Sequence, residues 1–206
     1  MITYADTDIA DWDRFYRANF INSLTGFKSA SLIGTANTTG QPNLAIFSSI
    51  VHIGSNPALV GYINRPVQAS THTLANIQAT GMYTINHIHP SFLQQAHQTS
   101  AKYAADISEF EEVGLTAAYS DGILAPFVKE SHIKYALSLQ EIIPITLNNT
   151  FLVIGKIKTV YIKEGILTND GFLSIDQANS VCSNGIDAYY ITTPMGRYQL
   201  KKTSPL

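Results

Sequence analysis

Between positions 48 and 73 the chain gathers hydroxyls, a guanidinium and an imidazole in Ser48, Ser49, Arg65, Thr71, His72 and Thr73. Ser48 and Ser49 interrupt an apolar run, Asn43-Leu-Ala-Ile-Phe-Ser-Ser-Ile-Val-His-Ile53. A hydroxyl buried without a partner costs about 1–3 kcal/mol, so these two bond either to neighbouring backbone or to a ligand. Arg65 follows the next apolar run, and Thr71, His72 and Thr73 open a helical stretch. The free N–H groups and positive dipole end of a helix N-terminus favour an anion, hydroxyls add donors, and an Arg fork fits a phosphate bidentately. A phosphate monoester site is the consistent reading. A plain N-cap role for Ser70 or Thr71 competes with it without excluding it, because one residue can do both.

Other chemistry lacks its residues. There is no Gly-x-Gly-x-x-Gly, Walker loop, Gly-x-Ser-x-Gly or His-Glu-x-x-His in the chain, which removes support for the usual dinucleotide, triphosphate, serine hydrolase and zincin readings. His87 and His89 alternate at a strand end, where ordinary polar residues are expected more often than a metal pair, and no metal site is assigned. The single cysteine, Cys182, forbids an intramolecular disulfide and a Cys-rich metal site, and reads as a small buried hydrophobe. Thirteen basic against 15 acidic residues leave a net charge of −2, unlike the basic footprint of a nucleic-acid binder. The N-terminus has no leader pattern and no run is apolar enough to span a bilayer, so a cytoplasmic location is expected and the Asn-x-Thr triplets at Asn37 and Asn148 are set aside.

The elements that position these residues follow from periodicity. Trp12, Phe15, Tyr16 and Phe20 fall at helical spacing and predict a helix over about residues 9–23, its aromatic stripe directed to the core. Strands are expected over Ser29–Ala36, Asn43–Ile53 and Ala58–Ile63, joined by turns at Asn37–Pro42 and Gly54–Pro57, as a three-stranded antiparallel meander. A helix over Ser70–Gln78 and a strand over Gly81–Ile88 come next, then short helices with capping-box spacing at Ser91/Gln94 and Ser108/Glu111. Two long strands are expected over about residues 132–146 and 150–163, with Pro144 at an edge or bulge. No linker or repeat divides residues 1–206, so one mainly β barrel domain with peripheral helices is expected. Residues 1–25 form a helical extension and about 165–206 a tail. Charged residues are 14% of the chain against roughly 25% in typical soluble domains, so part of the surface is expected to be covered in an oligomer.

The ordered segments Phe27-Lys-Ser-Ala-Ser-Leu-Ile-Gly-Thr, Gln41-Pro-Asn-Leu-Ala-Ile-Phe-Ser-Ser-Ile, Pro57-Ala-Leu-Val-Gly, Asn64-Arg-Pro, Thr71-His-Thr-Leu-Ala-Asn-Ile and Gly81-Met-Tyr-Thr-Ile-Asn resemble flavin reductase-like proteins with the FMN-binding split β-barrel. Thr99-Ser-Ala, Ser108-Glu-Phe-Glu-Glu-Val-Gly-Leu-Thr, Ala125-Pro-Phe-Val-Lys-Glu-Ser131 and Val153-Ile-Gly-Lys-Ile extend the likeness to about residues 26–163. The resemblance implies a homodimer of split barrels with FMN near the subunit interface. Ser48, Arg65, Thr71 and Thr73 would hold the phosphate, with His72 beside them. The flavin ring would lie against Asn43, Phe47, Ser49 and Ile50, with Asn86, His87, Thr99 and Ser100 as further contacts. Asn64 stands where relatives carry a second arginine. The tail, through Asp187-Ala-Tyr-Tyr-Ile and Gly196-Arg-Tyr, would lie near the open side of the flavin.

The implied activity is that of an FMN-dependent oxidoreductase taking hydride from NADH or NADPH and passing electrons to oxygen, a second flavin, a metal chelate or an acceptor protein. The flavin itself carries the hydride chemistry, so no catalytic acid or base is expected. Two alternatives stand beside it: a flavoredoxin-type electron carrier without nicotinamide turnover, and a non-redox binding module on the same barrel. A pyridoxamine phosphate oxidase-like barrel fits less well, because its phosphate is ringed by more Arg and Lys than Arg65 alone.

Overall fold

The computed structural model describes residues 1–66, 72–104 and 106–198. Two N-terminal helices, α1 (Asp6–Asp11) and α2 (Arg14–Leu24), precede the short strand β1 (Lys28–Ser29). Strands β2 (Ser31–Ala36), β3 (Pro42–Phe47), β4 (Ile50–Ser55) and β5 (Ala58–Asn64) follow, then α3 (His72–Thr80) and β6 (Met82–His87). A 3₁₀ turn (Pro90–Phe92), α4 (Leu93–Gln98) and α5 (Glu109–Val113) lead to the hairpin of β7 (Ala117–Ser120) and β8 (Ile123–Val128). The long hairpin of β9 (Ile133–Ile145) and β10 (Thr150–Ile162) completes the main sheet, and β11 (Cys182–Asn184) and β12 (Ala188–Tyr190) form the tail.

Seven strands pair antiparallel in the order β3-β2-β6-β9-β10-β5-β4. β3 and β4 are therefore opposite edges of one sheet, yet only Ser48 and Ser49 separate them. Three Cα steps reach at most about 11 Å, so the sheet must roll until its edges meet. The fold is a split barrel, mainly β with peripheral helices. The expected meander is corrected: Asn43–Ile53 is two strands, because the chain turns at Ser48–Ser49 to change edges and leaves β3 and β5 apart in the sheet.

Alternation along β2 shows how both faces of that sheet are buried. Leu32 packs in an outer cluster with Leu44, Phe92, Phe110 and Val128, beneath α4 and α5. Its neighbour Ile33 points into the barrel with Tyr62, Tyr83, Ile85, Leu137 and Val153, as period-two geometry requires. A Cβ on Gly34 would strike the Pro126 carbonyl and the Thr84 hydroxyl, so only glycine admits β8 this close. Leu74 and Ile77 of α3 join the barrel interior, which anchors that helix and leaves its first turn beside the β3 edge.

Several local expectations change. The N-terminal helix breaks at Trp12–Asp13, where the Asp13 carboxylate accepts from Phe15 N (2.8 Å) and restarts the chain as α2. Its aromatic stripe is not core: α2 has no buried residue, and Trp12, Tyr16 and Phe20 pack edge-on with one another and with Tyr4. His89, not Ser91, caps the 3₁₀ turn, accepting from Ser91 N (3.2 Å), and Ser108 makes no side-chain cap bond. The long strands stand where expected, and Pro144 lies opposite Phe151, beyond the stretch of β9 that pairs with β6, so its missing N–H costs no ladder bond there.

Candidate functional site

A cavity of about 750 Å³ opens along the free edge of β3. Asn43, Ala45 and Phe47 form its floor, and Ser48 and Ser49 at the barrel closure continue it to Ile63 and Arg65 at the end of β5. His72 and Thr73, in the first turn of α3, form the adjoining wall. Asn43 ties floor to wall, its Nδ2 donating over a long 3.4 Å to Thr73 Oγ1. Opposite them stand Thr99 and Ser100 after α4, with Lys102 and Tyr103 beyond.

The structure thus brings together Asn43, Phe47, Ser48, Ser49, Arg65, His72, Thr73, Thr99 and Ser100. Thr71 lies outside the described residues. Ser49 divides its role: its hydroxyl donates to Ile63 O (3.0 Å) and accepts from Ile63 N (3.2 Å), continuing the β4–β5 ladder in place of a backbone partner. Thr99 is 3% exposed and its hydroxyl donates to Ala96 O (2.8 Å), which leaves its methyl and backbone for the cavity.

Four expected contacts do not reach the cavity. Ile50 packs against the barrel interior instead. Asn64 is fully buried, its Nδ2 donating to Arg65 O (2.7 Å), so it shapes the turn that presents Arg65. Asn86 spends its whole amide on the fold: Nδ2 donates to Thr84 Oγ1 (2.9 Å) and Leu32 O (3.2 Å), and Oδ1 accepts from Val128 N (2.9 Å). His87 shares the sheet face of Phe47 by register, but its Nδ1 bonds Ser180 Oγ (3.0 Å), it stays out of the cavity lining, and burial pushes its pKa down to about 4. Adjacent strand residues point to opposite faces, so Asn86 and His87 could not both have faced one site, and the partners that hold each of them come from distant segments.

Other wall residues gave no sequence signal as site residues. Glu109, in the first turn of α5, is 6% exposed and its Oε2 accepts from Leu44 N (3.0 Å). Burial raises its carboxyl pKa, opposed by that hydrogen bond and by the nearby His72. Lys28 caps the end of α2, donating to Asn22 O (2.8 Å), Thr25 Oγ1 (2.9 Å) and Gly26 O (3.1 Å), and carries this helix to the rim. The tail closes the far side, since β11 pairs with β1 and sets Ser183, Asp187 and Tyr189 in the wall. Tyr189 Oη bonds His97 Nδ1 (2.7 Å), a contact 92 residues apart in sequence.

The floor and wall carry a guanidinium, an imidazole and hydroxyls. Among the described residues, the side chains of Ser48, Arg65 and His72 make no hydrogen bond, and the Thr73 hydroxyl, though it accepts from Asn43, donates to nothing. Residues 24–177 match the family model for the flavin reductase like domain. The chain belongs to the flavin reductase-like family.

Solved structures agree with this family assignment. A split barrel domain protein of the flavin reductase type from Shewanella frigidimarina NCIMB 400 is 44% identical, with 98% of this chain and 100% of that one covered and a TM-score of 0.94. Nitrilotriacetate monooxygenase component B from Bacillus cereus shares the fold at 18% identity, covering 97% of this chain and 98% of that one with a TM-score of 0.83. Flavoredoxin of Desulfovibrio vulgaris (Miyazaki F) shares it at 22% identity, covering 85% and 91% with a TM-score of 0.71. This flavin reductase-like chain is a flavin-related oxidoreductase, and no helix among its described residues is long and apolar enough to cross a membrane.

Proposed function

We propose that this flavin reductase-like protein binds FMN in the cavity along β3 and works as an NAD(P)H-dependent flavin reductase. The observation that carries the reading is the set of donors without partners among the described residues, Ser48, Arg65, His72 and the Thr73 hydroxyl, in one corner of a concave site within the volume range of small-molecule pockets. A phosphate monoester satisfies them together. The fit is chemical: a cation, hydroxyls and the first turn of the nine-residue α3 at one end, and the apolar Ala45 and Phe47 along the floor for a flat ring. FMN, when bound, supplies the hydride and electron transfer. The chain binds and orients it: Arg65 and Thr73 fix the phosphate, Phe47 and Asn43 support the ring, and the tail with Tyr189 narrows access from solvent.

A homodimer and a cytoplasmic location complete the reading, with the whole chain acting as one split-barrel unit. The visible absorption spectrum of the purified protein tests flavin binding, and oxidation of NADH or NADPH with added FMN tests turnover. Flavin absorbance without nicotinamide oxidation would replace the reductase by an electron carrier of the flavoredoxin kind. No flavin binding would leave only a binding module. FMN should bind more tightly than FAD, whose diester link removes terminal phosphate oxygens; equal titration midpoints would reject the monoester corner while sparing flavin binding.

A further inference from the structure

Among the described residues two acidic side chains line the cavity, Asp187 on the exposed tail and the buried Glu109. Glu109 stands beside the donor corner. β3 is a free sheet edge: Asn43 reaches Thr73, and the next N–H outward, that of Leu44, is taken by Glu109 Oε2 at 3.0 Å. Satisfying an edge N–H requires only a neutral acceptor, and glutamine would serve. The charge is therefore unexplained by the fold. Among the described residues no other residue donates to the second oxygen, Oε1, and Glu109 lines the cavity.

We propose that Glu109 sets the selectivity of this cavity for phosphorylated over unphosphorylated flavin. Ionised, it repels a phosphate held by Arg65 and Thr73; protonated, it offers Oε1–H to the same ligand and the grip tightens. The inference rests on the FMN reading above and adds to it a residue that weakens the complex near neutral pH, so that FMN exchanges readily there. Desolvation works in this direction, because it raises the pKa of the buried carboxyl, and a neighbouring phosphate raises it further. The facing groups are few. α5 packs on β3, which carries no charged residue, and on α4, whose titratable group is His97. His72 from α3 pulls the Glu109 pKa down, Arg65 joins the wall from β5, and Glu111 and Glu112 on α5 itself are exposed.

The test is fluorescence titration of FMN and riboflavin against the wild type and Glu109→Gln, at about pH 7.5 and about pH 5.5. Glutamine keeps an acceptor for Leu44 N–H, and unchanged riboflavin affinity certifies an intact cavity. The variant should bind FMN about tenfold more tightly than the wild type at the higher pH, as repulsion between like charges in one partly desolvated site requires. The advantage should shrink at the lower pH as the wild-type carboxyl takes its proton. Equal FMN affinity of the two proteins at both pH values, weaker FMN binding by the variant, or a riboflavin change as large as that for FMN overturns the assignment. Failure of the wild type to bind either flavin overturns the flavin reading as well, and is told apart by the missing riboflavin signal.

Discussion

Arg65 and Thr73 offer the same corner different chemistry, a charged fork and one neutral donor. Arg65→Ala should weaken FMN binding by about 1.5–3 kcal/mol, the range of a charge-assisted hydrogen bond, and Thr73→Val by less. Riboflavin should bind the wild type and the Arg65 variant almost equally; a parallel loss for both flavins in a fluorescence titration would move the phosphate elsewhere. Arg65 is exposed, so its removal should leave thermal stability unchanged. His87 belongs to the fold. Held neutral with a pKa near 4, it takes up its proton later in the folded chain than in the unfolded one, where the value is 6.5. Its contribution to stability is complete above about pH 6.5 and is lost as pH falls toward 4, amounting to at most about 2 kcal/mol by pH 5. Urea unfolding at both ends of that window should show a smaller acid loss for His87→Gln than for the wild type, and equal losses would assign the acid sensitivity to another group.

Among elements, β10 meets β6 across the barrel at Gly155, opposite Tyr83. A Cβ on Gly155 would collide with the Tyr83 ring and hydroxyl, and Tyr83 Oη, like Tyr62 Oη, is buried without a partner. Gly155→Ala should therefore destabilise the chain by about 1–3 kcal/mol through overpacking. Tyr83→Phe should recover part of this in the double variant, since it removes the atom that is struck together with a buried unsatisfied group. Purely additive losses in denaturant unfolding would show that the two strands do not meet as described. The same scale explains Ser49: β4 begins one residue too late to pair with Ile63, and a side-chain hydroxyl completes the ladder.

For the whole molecule, large apolar side chains are exposed on α2, at Phe27 and along the β4 edge. Phe15 is 73% exposed, Leu24 62% and Phe27 61%, and Val51 and Ile53 on the edge strand are 43% and 40% exposed. Patches of this kind on a chain with few charges lead us to expect a homodimer, its interface above about 2,000 Å² if obligate. Sedimentation equilibrium at micromolar concentration should give twice the 22.5 kDa chain mass, and a monomer with flavin bound would reject the dimer.

The amino-acid sequence by itself determined what depends on local chemistry and period: the long β9–β10 hairpin, the strand that became β2, and a helix after Arg65, whose described part begins at His72. It also carried the family likeness, because the ordered segments from Phe27 to Ile157 hold the barrel's own packing pattern. Tertiary structure alone decided the rest. Ser48–Ser49 is a change of sheet edge rather than mid-strand because closure depends on strand order, which no local window contains. Asn86 and His87 left the site because the approach of β8 and of Ser180 supplied them with other partners. Glu109, His97 and Tyr189 entered it because the β3 edge, α4 and the returning tail meet only after the barrel has closed, and a contact across 92 residues has no periodicity to read.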